Sequence, residues 1–436
     1  MSKKYFNVGE VYDQFLLLEE KYNLIYLECD GVKIWQILRY ELFFMITEKI
    51  FNLGTPHVTN NNWNIIKRLP VMVWNALFNS GWFVGKREVL VFPHSRVQLV
   101  DNEYFDIYTK YFVDEQMEGG SDLLVLEKPY LQKHYSRKND FTRYLDDAVL
   151  FSAIYSKLLV INFVKTESLV EMIQNEIKLN FEVEINLREI FKQRIKKYKS
   201  YYIYYTKLFR KFDVKRIYIV VAYSEPWLIR AAKDLNIKIV ELQHGAFSKY
   251  HLGYSYNKKY QLDFLPDEFF VWNQYWKDLV CFPIDYDNIK IRHFDFQKKQ
   301  IEKYKDTEKV KNQVVVLSQG TVSNKIAKVI LDNFKYFENK TIKYKLHPGE
   351  YQRFKSYPFL TELLKKDNVE LIVYGDLYNL LATSEYQVGV YSTALYEGIE
   401  FGLKTILCDL PNMEFMHGLL ELGKIEAVLD EFCEKD

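Results

Sequence analysis

The chain has 436 residues, which is enough for two domains with full hydrophobic cores. Its 59 Lys and Arg residues are balanced by 58 Asp and Glu residues, so no global field favours nucleic acid or an acidic membrane. The four cysteines are far apart and form no CxxC motif, which indicates free thiols in a reducing, cytoplasmic setting. The first ten residues contain no apolar core, so we expect no secretion signal.

The first part of the chain is predicted to be mainly helical. Residues 32–51 have apolar side chains at helical spacing and contain neither Pro nor Gly. The most apolar stretch, 65–84, includes Lys67, Arg68 and Pro70, so we expect core helices rather than a membrane span. The alternative is an interfacial segment in peripheral contact with the inner face of the cytoplasmic membrane, because tryptophans beside a basic pair are typical of such contacts. These tryptophans are Trp63, Trp74 and Trp82.

Short apolar runs follow, and several end in polar residues. The predicted strands are 87–93, 123–126, 217–222, 237–242 and 268–272. A helical pattern joins the third run to the fourth, which predicts a βαβ unit of a parallel sheet. In open parallel sheets, ligands bind outside the carboxyl ends of the strands. We therefore expect an acceptor-binding site formed by the polar residues that follow these strands: His94, Ser95, Arg96, Gln243, Gly245 and His251.

A polar segment, 298–312, is interpreted as a linker between two domains, 1–305 and 306–436. Strands and helices alternate again after it. The predicted strands of this second series are 314–317, 342–346, 369–373, 386–390 and 405–408. Alternation in both halves predicts an α/β protein in which two Rossmann-like domains face each other across a cleft.

Three strands of the second half end in turns that suit a nucleotide phosphate. Gly320 permits a tight turn before a helix whose first N–H groups can receive phosphate. His347, followed by proline, can donate to a phosphate oxygen, and Ser392 and Thr393 stand at a helix N-cap. Glu397, one turn further on, can accept from a ribose or a base. The candidate nucleotide-binding residues are Ser318, Gln319, Gly320, Thr321, Lys345, His347, Pro348, Ser392, Thr393 and Glu397.

Taken singly, each motif also has a structural interpretation as a cap or a turn. Their order is more specific: QHG, then KxHP, then STALYEG, within a pattern that covers residues 87–425. This order resembles bacterial GT-B glycosyltransferases of capsule and lipopolysaccharide assembly. The HP pair followed by a Ser/Thr pair resembles the motifs of bacterial sialyltransferases and polysialyltransferases. The architecture is also similar to that of the wall-teichoic-acid glycerophosphotransferases, which use CDP-glycerol.

The resemblance implies a two-domain GT-B-type glycosyltransferase. The sialyltransferases use CMP-activated sugars, invert the anomeric centre and need no metal or other cofactor. The implied partners are therefore a nucleotide-activated sugar and a glycan or glycolipid acceptor of a bacterial surface polysaccharide or lipopolysaccharide. Two alternatives stay open: a CDP-polyol phosphotransferase of the teichoic-acid type, and a non-catalytic scaffold of glycan assembly that retains the cleft. The oligomeric state is not predicted.

The resemblance also implies site roles. His347 would contact the donor phosphate, and the base would lie in an acidic motif of the N-terminal domain. The nearest match is Glu28-Cys29-Asp30-Gly31, which departs from that motif by the inserted Cys29. The candidate catalytic residues are therefore Glu28, Asp30, His244 and His347, with His94 as a further candidate base. Asp285-Tyr286-Asp287 matches the DxD pattern of metal-dependent transferases, but it follows no predicted strand and is interpreted as a loop.

Overall fold

A computed structural model describes Tyr5 and residues 7–51, 62–94, 97–100, 103–130, 133–134, 140–320 and 322–430. Three predicted site residues lie outside these ranges: Ser95, Arg96 and Thr321. None of the described helices combines the length and the apolar character needed to cross a membrane.

The N-terminal segment is a helical layer with one hairpin. Its elements are helix α1 (Val8–Lys21), strands β1 (Glu28–Cys29) and β2 (Val32–Lys33), and helices α2 (Ile34–Phe51) and α3 (Asn62–Phe78). The helix predicted from residue 32 begins two residues later, because Val32 and Lys33 pair with Cys29 and Glu28. Asp30 and Gly31 form the hairpin turn at φ +51° and +78°, the left-handed conformation that an Asp-Gly pair favours.

The next half of the chain forms a seven-stranded parallel sheet. The strands of this part of the chain are, in order, β3 (Val89–Phe92), β4 (Gln98–Val100), β5 (Glu103–Phe105), β6 (Leu123–Glu127), β7 (Thr142–Tyr144), β8 (Arg216–Val220), β9 (Lys238–Leu242), β10 (Glu268–Val271) and β11 (Ile289–Ile291). Strands β4 and β5 pair only with each other, as a small antiparallel hairpin, and the other seven form the sheet. The helices are α4 (Lys110–Glu118), α5 (Asp146–Leu158), α6 (Glu167–Phe181), α7 (Leu187–Phe212), α8 (Pro226–Lys233), α9 (Gln274–Asp278) and α10 (Asp295–Lys303). The strand order is β11-β10-β9-β8-β3-β6-β7.

A second parallel sheet, of six strands, follows residue 312. Its strands are β12 (Gln313–Leu317), β13 (Thr341–Lys345), β14 (Val369–Ile372), β15 (Tyr386–Gly389), β16 (Lys404–Cys408) and β17 (Ile425–Leu429). Its helices are α11 (Ser323–Asp332), α12 (Phe334–Phe337), α13 (Pro358–Leu363), α14 (Leu377–Thr383), α15 (Thr393–Glu400) and α16 (His417–Glu421). The strand order is β14-β13-β12-β15-β16-β17.

Both sheets therefore have the Rossmann order, which reverses between the first and the fourth strand. All ten predicted strands form, and the predicted fold class, two Rossmann-like domains of GT-B type, is confirmed. The two domains also share one apolar cluster. Phe247 and Trp276 enter it from the first domain, and Leu317 and Leu395 from the second. This shared packing holds the carboxyl ends of the two sheets towards each other.

Candidate active site

The two domains touch where their polar strand ends meet. The backbone N–H of Ala246, just after β9, donates to Thr393 Oγ1 at 3.0 Å. A Cβ atom on Gly245 would lie 3.3 Å from the same oxygen, so the backbone approaches closely here. The QHG segment and the STALYEG motif, which are far apart in the chain, therefore meet at the contact between the domains.

A cavity of about 270 Å³ opens beside this contact. Both domains contribute to its wall, which includes polar side chains and aromatic rings. Its lining residues are Ala246, Phe247, Ser248, His251, Gln319, Tyr391, Ser392, Thr393, Tyr396, Phe415 and Met416. Its volume lies near the lower end of the range for small-molecule sites.

On the C-terminal side, Gln319 organises the switch point between β12 and β15. Its Oε1 accepts from the N–H of Tyr391 at 3.0 Å, and its Nε2 donates to the carbonyl of the same residue. Ser392 caps α15, since its Oγ accepts from the N–H of Ala394 at 3.2 Å. The N-terminus of α15, where the helix dipole favours negative charge, therefore opens into the cavity.

Arg353 reaches the same turn, although the sequence analysis did not select it. Its Nη2 donates to the carbonyl of Gly320 at 2.5 Å. A Cβ atom on Gly320 would lie 2.7 Å from that nitrogen, so this position needs glycine if the arginine is to stay in place. The sequence feature that could have identified Arg353 is its position as a cation six residues beyond His347, after the turn that HPGE begins.

His347 is exposed at the end of β13, in a turn that its own side chain stabilises. Its Nδ1 accepts from the N–H of Gly349 at 3.1 Å, and Glu350 accepts from the N–H of His347 at 3.0 Å. Pro348 begins the short 3₁₀ turn between them. Because Nδ1 is an acceptor, the neutral ring carries its proton on Nε2, which makes Nε2 a hydrogen-bond donor.

Two of the predicted nucleotide contacts hold the turns together. Ser318 is buried, and its Oγ lies 2.7 Å from Glu350 Oε2. Lys345 donates from Nζ to the carbonyls of Leu346 and Val373, at 3.1 and 3.0 Å, and burial lowers its pKa. Both side chains are therefore committed to contacts within the domain.

Glu397 is buried, and its neighbours Leu395 and Tyr396 belong to the apolar cluster that the two domains share. Burial raises the pKa of its carboxyl to about 7, although a hydrogen bond with Tyr378 acts in the opposite direction. It lies on α15, one turn beyond the Ser392 cap.

On the N-terminal side, a buried network ends at His244. The ring of His244 lies parallel to that of His94, with centroids 5.7 Å apart. Its Nδ1 is 3.5 Å from the hydroxyl of Tyr254, which donates to Glu241 Oε1 at 2.7 Å. The same carboxylate oxygen accepts from the N–H of Ala222 at 2.9 Å. Glu241 and Tyr254 were not selected from the sequence; the signal was a carboxylate inside an otherwise apolar strand.

Burial controls the charge of this network. It lowers the pKa of His244 to about 3, with further lowering from His94 and His251. It lowers the pKa of His251 to about 4 and raises that of Glu241 to about 7, against the hydrogen bonds from Tyr254 and Ala222. The rings of His244 and His251 are therefore neutral at neutral pH, and a neutral imidazole has a nitrogen lone pair that can accept a proton.

The backbone is strained at the N-terminal switch point. Val221 follows β8 with φ +62°, a conformation that is a genuine outlier for a β-branched residue. Such a residue costs about 1–3 kcal/mol and persists where the surrounding structure requires it. Here the turn directs the N–H of the next residue, Ala222, to Glu241.

The other acceptor-side candidates differ in exposure to the cleft. His251 lines the cavity, stacked between Tyr40 and Tyr254 at 4.6 and 4.9 Å. Gln243 is buried, since its Oε1 accepts from the N–H of Trp272 at 2.9 Å and its Nε2 donates to the carbonyl of Gly245.

The structure does not bring Glu28 and Asp30 to this cluster. They belong to the β1–β2 hairpin, where Asp30 pairs with Lys199 of α7 at 2.7 Å. The ECDG motif therefore acts as a hairpin turn on the helical layer. Among the described residues, no group of three His, Cys, Asp or Glu side chains is arranged to hold a metal ion. Asp285 and Asp287 lie on an exposed turn before β11.

No family model matches the chain, and no curated protein matches it. Solved structures align over most of its length. A UDP-GlcNAc 2-epimerase from Methanocaldococcus jannaschii has 10% identity and a TM-score of 0.46, covering 79% of this chain and 88% of its own. A glycosyltransferase from Rickettsia africae has 13% identity and a TM-score of 0.36, with 76% and 81% covered. The glycosyltransferase SnogD from Streptomyces nogalater has 10% identity and a TM-score of 0.43, with 80% and 87% covered. Similarity at this level does not identify a function.

Proposed function

We propose that the protein is a glycosyltransferase that moves a sugar from a nucleotide-activated donor to a hydroxyl group of a glycan acceptor. One observation carries the proposal: His244, backed by Tyr254 and Glu241, lies two residues before Ala246, whose N–H donates to Thr393 at the N-terminus of α15. Glycosyl transfer needs a proton acceptor on one side of the sugar and charge stabilisation for the leaving phosphate on the other.

In the proposed reaction, the acceptor hydroxyl gives its proton to Nε2 of His244 while its oxygen attacks the anomeric carbon. The bond from that carbon to the donor phosphate oxygen breaks, and its electron pair leaves with the nucleotide. Attack and departure occur on opposite faces, so the configuration inverts. Tyr254, which donates to Glu241, keeps an oxygen lone pair towards Nδ1 of His244 and so favours the tautomer in which Nε2 is free to accept the proton.

The negative charge of the leaving nucleotide falls on the C-terminal side. Nε2–H of His347, the guanidinium of Arg353 and the N-terminus of α15 are the groups that stabilise it. We propose that these groups do the work that a divalent ion does in metal-dependent transferases. Turnover is expected to survive treatment with EDTA; loss of turnover that Mg²⁺ or Mn²⁺ restores would contradict this part of the proposal.

The donor nucleotide follows from the motifs. The KxHP and STALYEG motifs, which resemble those of sialyltransferases, favour a CMP-activated sugar and an acceptor on a bacterial surface polysaccharide or lipopolysaccharide. Calorimetric titration with CMP, CDP, UDP and GDP tests this choice, and CMP is expected to bind most tightly. Tighter binding of UDP or GDP would remove the CMP assignment and leave the transferase proposal standing.

Product analysis separates the remaining alternatives. Transfer of a polyol phosphate with release of CMP would make the protein a phosphotransferase of the teichoic-acid type. UDP-GlcNAc is tested as a substrate in the same product analysis, because the solved epimerase from Neisseria meningitidis is bound to it. Its conversion to an epimer without any acceptor would overturn the transferase proposal. Failure of every nucleotide to bind would favour the scaffold alternative.

A further inference from the structure

Helix α3 has an apolar face that none of the described residues covers. Its inner side packs against α5 and buries Met72 and Asn75. Its outer side is apolar along more than two turns, and Trp74 at its centre is 60% exposed. The exposed residues of this side are Leu69, Val71, Val73, Trp74, Leu77 and Phe78.

Neighbouring segments also carry exposed apolar side chains, and one of them, α5, packs directly against α3. Phe83, just after α3, is 67% exposed, and Val160, just after α5, is 91% exposed. Ile154 and Leu158 on α5 are exposed as well. We call the exposed apolar residues of 69–83 and 154–164 the α3–α5 patch. Soluble monomers rarely expose a contiguous apolar surface of this kind unless it binds a partner.

The two segments that carry the patch contain cations and no acidic residue. Residues 62–87 and 153–165 contain six Lys and Arg residues and no Asp or Glu, although the two signs are nearly equal in the whole chain. Lys86 and Arg87 pair with acidic residues from elsewhere, Asp213 at 3.5 Å and Asp122 at 3.3 Å. Lys157 and Lys165 are exposed beside the apolar end of α5. The patch is therefore an apolar surface with a basic border.

We propose that the α3–α5 patch docks onto the surface of a bilayer that contains anionic lipid, with α3 lying in the plane of the interface. An apolar helix face with Trp and Phe, bordered by Lys and Arg, buries its rings at the headgroup boundary while the cations contact lipid phosphates. Since the inner side of α3 packs on the domain, only the outer side can enter the membrane.

A lipid surface fits the patch better than a second copy of the chain. A two-fold interface pairs each surface with itself, so Lys157 and Lys165 would face a surface whose own segments contain no Asp or Glu. The docked helix also has a definite relation to the cleft. Ser80, two residues beyond α3, pairs with Tyr144 at the end of β7, on the carboxyl edge of the first sheet. The inference goes beyond the proposed function and does not depend on it.

The test is flotation of the full-length protein with vesicles of phosphatidylcholine, with and without phosphatidylglycerol. The wild type is expected to float with the anionic vesicles and to be released as salt rises. The double variant Trp74→Ser/Phe78→Ser is expected to lose at least about tenfold in partitioning, since each ring buries apolar area. Phe359→Ser, which removes an exposed ring from the C-terminal domain, is the matched control and is expected to bind like the wild type.

Two further measurements distinguish electrostatic attraction from insertion of the tryptophan ring as causes of binding. Lys157→Glu/Lys165→Glu is expected to weaken binding to anionic vesicles several-fold and to reduce its salt dependence. Brominated lipid is expected to quench tryptophan fluorescence less in Trp74→Phe than in the wild type. Wild-type protein that floats with no vesicle, or a Trp74→Ser/Phe78→Ser variant that floats like the wild type, would overturn the proposal. Light scattering that shows a wild-type dimer, and a monomer for the same double variant, would also overturn it, in favour of a protein interface.

Discussion

The two switch points of the molecule have the same topology and opposite chemistry. In both sheets the strand order reverses between the first and the fourth strand, and the loops that follow face one cleft. On the N-terminal side these loops bury imidazole rings and keep them neutral. On the C-terminal side they present hydroxyl groups, an exposed histidine, an arginine and a helix N-terminus. Topology thus places both sets of loops, and the loop residues decide their chemical character.

Each side has a buried carboxyl with its pKa raised to about 7, Glu241 in the first domain and Glu397 in the second. Each is hydrogen-bonded to a tyrosine, Tyr254 and Tyr378 respectively. In the N-terminal pair the tyrosine also neighbours a histidine, since the hydroxyl of Tyr254 lies 3.5 Å from Nδ1 of His244. The same pair of groups therefore has a histidine beside it in one domain, whereas in the other its carboxyl lies on α15, one turn beyond the N-cap.

The largest expected effect is on the proton side. His244→Asn should lower kcat by about two to four orders of magnitude, the usual contribution of a positioned acid or base. Nucleotide affinity should stay near that of the wild type, because the substitution leaves the C-terminal side intact. Steady-state kinetics and calorimetry measure the two quantities. His293→Asn, at an exposed histidine of the same domain, is the control. Full activity of His244→Asn would remove the proposed base.

Substitutions on the proposed anion-binding side should lower kcat somewhat less. Arg353→Ala and His347→Ala are each expected to lower kcat by about two to three orders of magnitude, the range for loss of one electrostatic donor. The effect should fall more on kcat than on KM, since the phosphate gains charge as it leaves. Lys355→Ala, at an exposed lysine two residues beyond Arg353, should behave like the wild type. Equal kinetics for Arg353→Ala and this control would reduce Arg353 to a turn-stabilising role.

The raised pKa of Glu241 predicts a dependence of stability on pH. Between pH 4.5 and about 7, the folded protein binds more protons at this site than the unfolded chain, so its contribution to stability decreases as pH rises through that window. Glu241→Gln removes this decrease. Relative to the wild type, the variant should gain stability between pH 5 and pH 8, by an amount on the order of 3 kcal/mol.

Denaturant unfolding at pH 5, 6, 7 and 8 measures this difference. Glu397→Gln should give a change in the same window, because its pKa is raised to a similar value. Glu370→Gln, at an exposed carboxylate, provides the baseline. Parallel stability curves for Glu241→Gln and the wild type would show that the Glu241 carboxyl is not perturbed.

The smallest effect concerns the contact between the two sides. Thr393→Val keeps the shape of the side chain but removes the oxygen that accepts from Ala246 N–H. Loss of one such hydrogen bond should lower the free energy of unfolding by about 1 kcal/mol. The KM for the donor should rise a few-fold, because the cavity lies beside this contact. Thr361→Val, at an exposed threonine of the same domain, controls for the loss of a hydroxyl. An unchanged KM would show that the hydrogen bond between Ala246 and Thr393 does not contribute to donor binding.

Much of the architecture could be read from the sequence, because buried parallel strands leave continuous apolar runs. The strands that were missed are short or lie at the edge of a sheet. β7 and β11 have three residues each, and β17 alternates between half-buried and exposed positions. Runs of that kind do not stand out from the surrounding loops.

The candidate site was predicted less completely, for a different reason. His244, Gly320, His347 and Thr393 stand where the sequence analysis placed them, at strand ends. The spacing of motifs does not show which of two neighbouring side chains turns inward. Ser318, Lys345 and Gln243 do so, because their hydrogen bonds join adjacent turns within a domain.

By itself, the sequence determined the two alternating series of strands and helices, the polar turns at their ends and the glycines that those turns need. These follow from local patterns of burial and backbone freedom, which a chain carries along its length. The tertiary structure alone decided that Tyr254 and Glu241 lie behind His244, that Arg353 reaches Gly320, and that Asp30 lies away from the cleft. Such partners are separated in the chain and meet only through packing, which also sets the desolvation that shifts their pKa values.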